Sequence, residues 1–312
     1  MDIKTQNKTK FFTPIRRKRL KTHAFVYSLI FAQLVIFCIF YIGVNANSII
    51  MAFQKQTPAG VNVWTMENFV RFWSGLQRGG EILIALRNTL IFFLFGYVMI
   101  PIGFATTYFF FKKIWGYRVF RIVFFLPSVI SAVVWTTIYR EMIGPDGPVA
   151  KIHMALAGLS QPEIYLADTR YALLFVVLYS FWLGLACNYI LFSGAMTRIP
   201  DGVLEAAKLD GVGWFRELTR IILPLVFPTF ATLIILHTTT LFTASGAILL
   251  LTGGAYKTNT VSYLIFSNVF GKIGSSNTYN YASAVGLVFT LLTLPVVFMT
   301  RKLLNRVEDV QY

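Results

Sequence analysis

Charge is scarce in this chain. Asp and Glu together number 13 in 312 residues, and charged residues of both signs make up only 13%. A soluble domain carries about a quarter, so the composition excludes a soluble enzyme of one or two domains. Cysteine is rarer still. Cys38 and Cys187 are the only two and both fall in apolar runs, which excludes a disulfide framework and any metal-ligand spacing. No Gly-x4-Gly-Lys-Ser/Thr occurs, and Gly271-Lys272 continues with Ile273, so the chain holds no phosphate loop. No catalytic triad and no paired carboxylates stand out either.

What is abundant is long apolar sequence. Runs at 24–44, 88–111, 122–138, 171–196, 225–251 and 281–300 dominate a chain that is 56% hydrophobic. About 20 apolar residues at about 1.5 Å each cross a hydrocarbon core of about 30 Å. The expectation is an all-α integral membrane protein with six spans, at about 24–46, 88–111, 119–139, 171–196, 224–251 and 281–303. Pro101, Pro127, Pro228 and Pro295 fall inside them, which spans tolerate when neighbours re-satisfy the freed carbonyls. Asp, Glu, Lys and Arg are absent from the depth of these runs. Ion-coupled carriers place acidic relays there, so that class is disfavoured.

The net charge of +15 is a topology signal. Eight basic residues lie in 1–23, four in 112–121, four in 198–220 and three in 301–306, which makes nineteen of 28 on one predicted side. Short Lys/Arg-rich loops stay in the cytoplasm, so both termini are expected there. A nucleic-acid partner would need a soluble basic face or a motif of known shape, and neither is present. Residues 1–23 read as a basic cytoplasmic tail, 24–306 as the transmembrane domain and 307–312 as a C-terminal tail. The first apolar run is longer than the apolar core of a secretory signal, so it reads as an uncleaved span. Membrane lipid is the expected surround, with the basic tail against an anionic leaflet.

The inner connection 197–224 is unusual. It balances four basic residues against Asp201, Glu205, Asp210 and Glu217. Pro200-Asp201 reads as a helix start with a side-chain cap, and Gly211 as its left-handed stop. Leu204, Ala207 and Gly211 would share a face, and small Ala206 and Ala207 would let another surface approach. A second amphipathic stretch, 213–222, follows with Trp214, Phe215, Leu218 and Ile221, so two short helices joined by a glycine turn are expected.

Glu205-Ala206-Ala207, then Gly211, then Ile221-x-Leu223-Pro224 resembles the EAA signature of permease subunits of binding-protein-dependent ABC importers. Trp64-Thr65-Met66-Glu67-Asn68-Phe69, Phe124-Phe125-Leu126-Pro127 and Thr252-Gly253-Gly254 resemble elements of the carbohydrate-uptake, maltose-type branch. The chain departs from that branch at Ala255-Tyr256, where Gly-Pro is usual. The resemblance covers about residues 24–306. It implies a six-helix type I ABC importer bundle with a cytoplasmic coupling helix, in which Glu205, Ala206, Ala207, Asp210 and Gly211 contact a separate ATPase.

It also implies partners: a second homologous permease forming a heterodimer, two cytoplasmic ATPase subunits that bind ATP and Mg, and an extracytoplasmic solute-binding protein. This chain would hold no cofactor of its own, catalyse nothing, and sit in a bacterial or archaeal inner membrane. The solute implied is a sugar or oligosaccharide, with polyamine, phosphate or peptide as alternatives within the class and an ion-coupled carrier outside it. By similarity to the maltose transporter, Ser180, Gly184, Asn188, His237 and Thr240, on the spans flanking the coupling loop, are expected on the solute path.

Overall fold

The computed structural model describes residues 14–158, 161–243, 246–271 and 276–306. Helix α1 (Pro14–Ile36) passes through a π-helical turn (Phe37–Gly43) into α2 (Val44–Ala52). The tail expected over 1–23 is thus helical from Pro14, a residue suited to a first helical position. Residues 1–13 and the C-terminal tail 307–312 lie outside the described residues. Over Thr22–Ala52 the most apolar stretch buries nothing within the chain.

Next, β1 (Gln54–Gln56) pairs antiparallel with β2 (Asn62–Trp64). Buried Asn68 on α3 (Glu67–Gln77) donates through Nδ2 to the carbonyls of Ala52 at 3.0 Å and Gln54 at 2.9 Å, stitching this hairpin to the end of α2. Helix α4 (Glu81–Phe111) starts at Glu81 rather than 88. Its first turn carries a carboxylate where the helix dipole favours one, and Ile82 and Ala85 are already buried.

The third apolar run does not form the continuous helix expected over 119–139. It breaks into α5 (Tyr117–Val129) and α6 (Ala132–Ile143), and α5 makes a 116° angle with the stretch Ala132–Ala157. Ile130 is extended, and the Ser131 side chain caps the new helix by accepting from Val133 N. Helix α7 (Pro148–Ala157) follows.

Helix α8 (Ala172–Met196) runs parallel to α4. The ring pairs Phe95–Phe181 and Phe104–Phe192 fall in the same order along both. After α9 (Asp201–Leu209), α10 (Trp214–Arg216) leads through a π-helical stretch (Glu217–Ile222) into α11 (Leu223–Thr239). These last three form one uninterrupted helix of 26 residues, Trp214–Thr239. The second short helix expected over 213–222 is therefore the start of a long one. A widened turn ahead of Pro224 makes room for a ring that would otherwise clash with the carbonyl four residues back.

The fifth run also ends early, at Thr239 instead of 251. There Thr239 and Thr240 turn their hydroxyls onto the carbonyls of Leu236 (2.7 Å) and His237 (2.8 Å), the local bonding that competes with helix continuation. Residues 246–251 form a separate α12 (Gly246–Leu251), followed by α13 (Val261–Phe266) and α14 (Ser276–Leu304). Among the described residues, five helices are long and apolar enough to cross a membrane, or six if α5 and the bent segment after it make one span.

One core cluster joins α4, α8 and the 214–239 helix through Phe104, Tyr108, Phe192, Met196, Ile222 and Val226. A second packs Ile82 and Ala85 against Val261, Leu264, Tyr281 and Val285. Close approach of α4 and α8 depends on Gly103: a Cβ there would sit 2.7 Å from Asn188 Cβ, the small-residue contact on which helices pack in lipid. Gly103→Ala is expected to lower the thermal midpoint in detergent, with a loss of about 1–3 kcal/mol from overpacking. Gly194→Ala, on α8 with open space around it, should leave the midpoint unchanged or slightly raised.

Candidate functional site

The segment 197–213 projects from the end of the bundle where α4 and α8 terminate. Pro200, in extended conformation, precedes the first helical residue, and no side-chain cap is made. Asp201 is therefore not the cap expected. It lies within the first turn, where its charge faces the orphan amides. The stop is as expected. Gly211 has φ +66°, Val212 N bonds Ala207 O at 3.1 Å and Gly211 N bonds Lys208 O at 3.2 Å. These paired bonds satisfy the last carbonyls of the helix.

Of the expected docking residues, Glu205, Ala206, Asp210 and Gly211 are exposed. Ala207 is not. It is buried, and Val203 and Leu204 on the same face pack on the cluster containing Met196, Ile199, Leu218 and Ile222. Ala207 thus packs the helix onto the chain and takes no part in an outward face; Gly211 leaves the face of Leu204 and Ala207. Large apolar side chains that sequence reasoning passed over stand out instead: Leu209 is 88% exposed and Trp115, in the neighbouring 112–116 connection, 95%. The signal for Leu209 was an apolar residue on the otherwise polar side of an amphipathic helix.

An ion pair fixes this element to the bundle. Lys112 Nζ, just past α4, reaches Glu217 Oε1 at 2.7 Å and Oε2 at 3.0 Å. Glu217 is the only charged side chain buried among the described residues. Beside it Trp214 packs on Phe109, ring centroids 5.6 Å apart.

Deeper along the same helices lies a cavity of about 270 Å³. Helix α4 lines it with Phe92, Phe95, Gly96 and Met99, α8 with Ser180, Gly184 and Asn188, and α11 with Leu233 and His237. Four of the five residues expected on a solute path therefore meet in one place. Thr240 does not. It is exposed and lines a narrow adjoining cleft with Thr89 and Thr260, which shares Phe92 and His237 with the cavity. The contribution of α4 was missed, although a glycine inside an apolar run, Gly96, marks it: a Cβ there would collide with the His237 ring.

Hydrogen bonds hold the polar lining. Ser180 Oγ donates to Val176 O (2.9 Å), Asn188 Nδ2 to Met99 O (3.3 Å) and His237 Nε2 to Phe93 O (2.9 Å). The His237 ring also stacks on Phe93 and meets the edge of Tyr97. A carbonyl only accepts, so Nε2 carries the proton, and a neutral ring keeps Nδ1 as an acceptor. Acceptors from Ser180, Asn188 and His237 beside the rings of Phe92 and Phe95, with no charged group in the lining, suit a neutral hydroxyl-rich molecule.

Lys112→Met is expected to destabilise the protein by about 1–3 kcal/mol. That is less than for a fully dry pair, because Lys112 is 38% exposed. Lys112→Met combined with Glu217→Gln should recover most of the loss in the same thermal assay.

Comparison with known proteins agrees with this geometry. The chain is 29% identical over 186 residues to the probable ABC transporter permease protein YurN of Bacillus subtilis, covering 59% of this chain and 62% of that one. It is 29% identical over 199 residues to the multiple sugar-binding transport system permease protein MsmF of Streptococcus mutans, covering 63% and 66%. These matches span just under two thirds of both relatives. Among solved structures, a chain of a bacterial alginate ABC transporter, in complex with an alginate pentasaccharide-bound periplasmic protein, shares the fold with a TM-score of 0.78 at 19% identity, over 95% of this chain and 99% of that one. The family of binding-protein-dependent transport system inner membrane components matches residues 83–309, and the chain belongs to that family.

Proposed function

We propose that this chain is the non-catalytic translocation subunit of an ATP-driven importer, passing a sugar or oligosaccharide from a binding protein into the cytoplasm. The observation that carries the reading is the uninterrupted helix Trp214–Thr239. It begins at the exposed element 201–213 and ends at the polar cavity. Its 26 residues rise about 39 Å at about 1.5 Å each.

A push on the exposed element would therefore reach the cavity along a stiff rod. Leu209, with Glu205, Ala206, Asp210 and Gly211 around it, is the contact for a cytoplasmic ATPase. Two such subunits would bind ATP and Mg and supply the energy, and this chain needs no cofactor. Ser180, Gly184, Asn188 and His237 are the residues proposed to touch solute. Thr240, proposed from sequence, stands outside the cavity.

Helix Thr22–Ala52 offers its apolar surface to other molecules, which fits lipid and a second homologous permease in the same bilayer. The distribution of Lys and Arg supports a cytoplasmic side for the 201–213 element and both termini, in a bacterial or archaeal inner membrane. MsmF is a multiple sugar-binding system permease, which favours a saccharide. Binding protein outside and ATPase inside would then bias one two-state equilibrium from opposite ends.

Leu209→Asp, made in the full complex, is expected to insert and melt like the parent, since this side chain is 88% exposed among the described residues. Stimulation of ATP hydrolysis by sugar-loaded binding protein should fall at least tenfold. Full stimulation in that variant would overturn the coupling role. In proteoliposomes, sugar uptake should require enclosed ATP, and uptake driven by an ion gradient without nucleotide would overturn the importer reading.

A further inference from the structure

At the opposite end of the bundle from the 201–213 element, a larger cavity of about 480 Å³ opens between α4, α8 and the loop before α13. Three cations line it: Arg87, Arg170 and Lys257. Below them the wall is apolar, formed by Ile91, Leu173 and Val177. The nearby carboxylates are Asp168 and Glu163, both of which act on Arg170. Arg170 grips Asp168 with Nη2 at 2.7 Å and Nε at 3.0 Å from Oδ2, and those bonds hold the Asp168 carboxyl below the usual range. Among the described residues no ion pair reaches Arg87 or Lys257. Two acids, of which only Asp168 forms an ion pair, thus stand near three cations gathered around a concavity.

The loop that brings Lys257 there is built for the purpose. Tyr256 and Lys257 both hold positive φ, +53° and +60°, a conformation that disfavours side chains larger than glycine and that clusters where function requires it. Asn88, fully buried, pins them. Its Nδ2 donates to Lys257 O at 2.7 Å and to Asn259 O at 2.8 Å, while Arg87 Nη2 bonds Asn88 Oδ1 at 3.3 Å. The adjacent Arg87 and the strained Lys257 are thereby set at one mouth. This is also the stretch, Ala255-Tyr256, where the chain departs from the pattern of the carbohydrate-uptake branch.

The rim is also connected to the polar cavity. Leu173, Val177, Ser180, Gly184 and Asn188 advance by three or four residues along α8, so they form one continuous face, and Arg170 lies in the turn just before it. A charged group caught at Arg170 sits at the head of the stripe that leads to Ser180 and Asn188.

We propose that Arg87, Arg170 and Lys257 form an anion-binding rim for a phosphate or carboxylate group, carried by a solute entering along the α8 face or by the headgroup of an anionic lipid. Two cations without acid partners, joined by a third in one concavity, favour a group that accepts several charge-assisted hydrogen bonds. Only the direction of entry rests on the importer reading; the anion site itself does not.

The test uses the reactivity of Lys257. The full chain in nanodiscs of phosphatidylcholine alone is acylated with an amine-selective reagent, and modification of each lysine is followed by mass spectrometry. Inorganic phosphate, against chloride at equal ionic strength, should slow modification of Lys257 at least threefold and saturably, leaving exposed Lys151 unchanged. Arg87→Gln and Arg170→Gln, each checked for an unaltered melting profile, should remove the protection. In nanodiscs containing phosphatidylglycerol, protection without added phosphate would identify the lipid headgroup as the source. Protection that needs phosphate in both membranes would identify a soluble anion. Equal Lys257 rates in all conditions, equal slowing of Lys151, or protection that survives both Arg substitutions would overturn the rim. ATP-driven uptake alongside flat Lys257 reactivity would reject this proposal alone and leave the importer reading standing.

Discussion

A single buried carboxylate joins the exposed lever to the membrane bundle. Glu217 lies one turn into the long helix that follows the lever, and Lys112 at the end of α4 holds it. Near the other end of that helix His237 bonds the backbone of α4 at Phe93. The two helices are thus tied at both ends of their contact. Breaking the buried ion pair leaves a charge without its partner, which is far less favourable than moving the helices together. A load applied at 201–213 therefore tilts or shifts a body instead of fraying a turn, and the cavity walls are part of that body. The inward face of α9, with Val203 and Leu204 packed against the core cluster and Ala207 buried, keeps the lever from sliding over the surface it pushes.

The bilayer sets the remaining constraints. Side chains such as Phe25, Ile39, Leu94, Val129 and Leu292 lie open on the helices, as apolar groups do where the solvent is hydrocarbon. Backbone groups have no water to turn to there, so each break in a helix needs its own partners. Ser131 caps the start of α6, Thr260 caps α13, and threonine hydroxyls close the end of α11. Polar side chains of the cavity are bonded to backbone carbonyls, Ser180 on its own helix and Asn188 and His237 on α4, so the cavity can be polar without destabilising its walls.

Much of this was legible before any coordinates. The apolar runs located the spans because length and hydropathy are summed over many residues. Gly211 located the lever's end because only a left-handed residue closes a helix with that pair of bonds. The break at Ile130-Ser131 was not legible, since hydropathy stays high through it, and the polar run His237-Thr238-Thr239-Thr240 reads equally as lining inside a continuing span. The burial of Ala207 was also hidden, because an alanine suits either face of a short helix. Ser180, Gly184, Asn188 and His237 could be named from the polar stretches of the two spans and the resemblance to the maltose transporter, whereas Phe92, Phe95, Gly96 and Met99 are ordinary span residues until the helices are assembled. Thr240 lies in the adjoining cleft because α11 ends at Thr239, where a continuous helix was expected.

The central claim is that the 201–213 element is gripped by a nucleotide-hydrolysing partner and that the rod behind it carries the motion to the cavity. A photo-crosslinking amino acid placed at Leu209 in the native membrane complex tests this most directly, with a second one at Lys151 as the opposite-end control. The account expects the Leu209 probe to capture the ATPase subunit, with a yield that changes when ATP is added, and the Lys151 probe to miss it. Capture of the ATPase from Lys151, or of an extracytoplasmic protein from Leu209, would contradict both the sidedness and the mechanism.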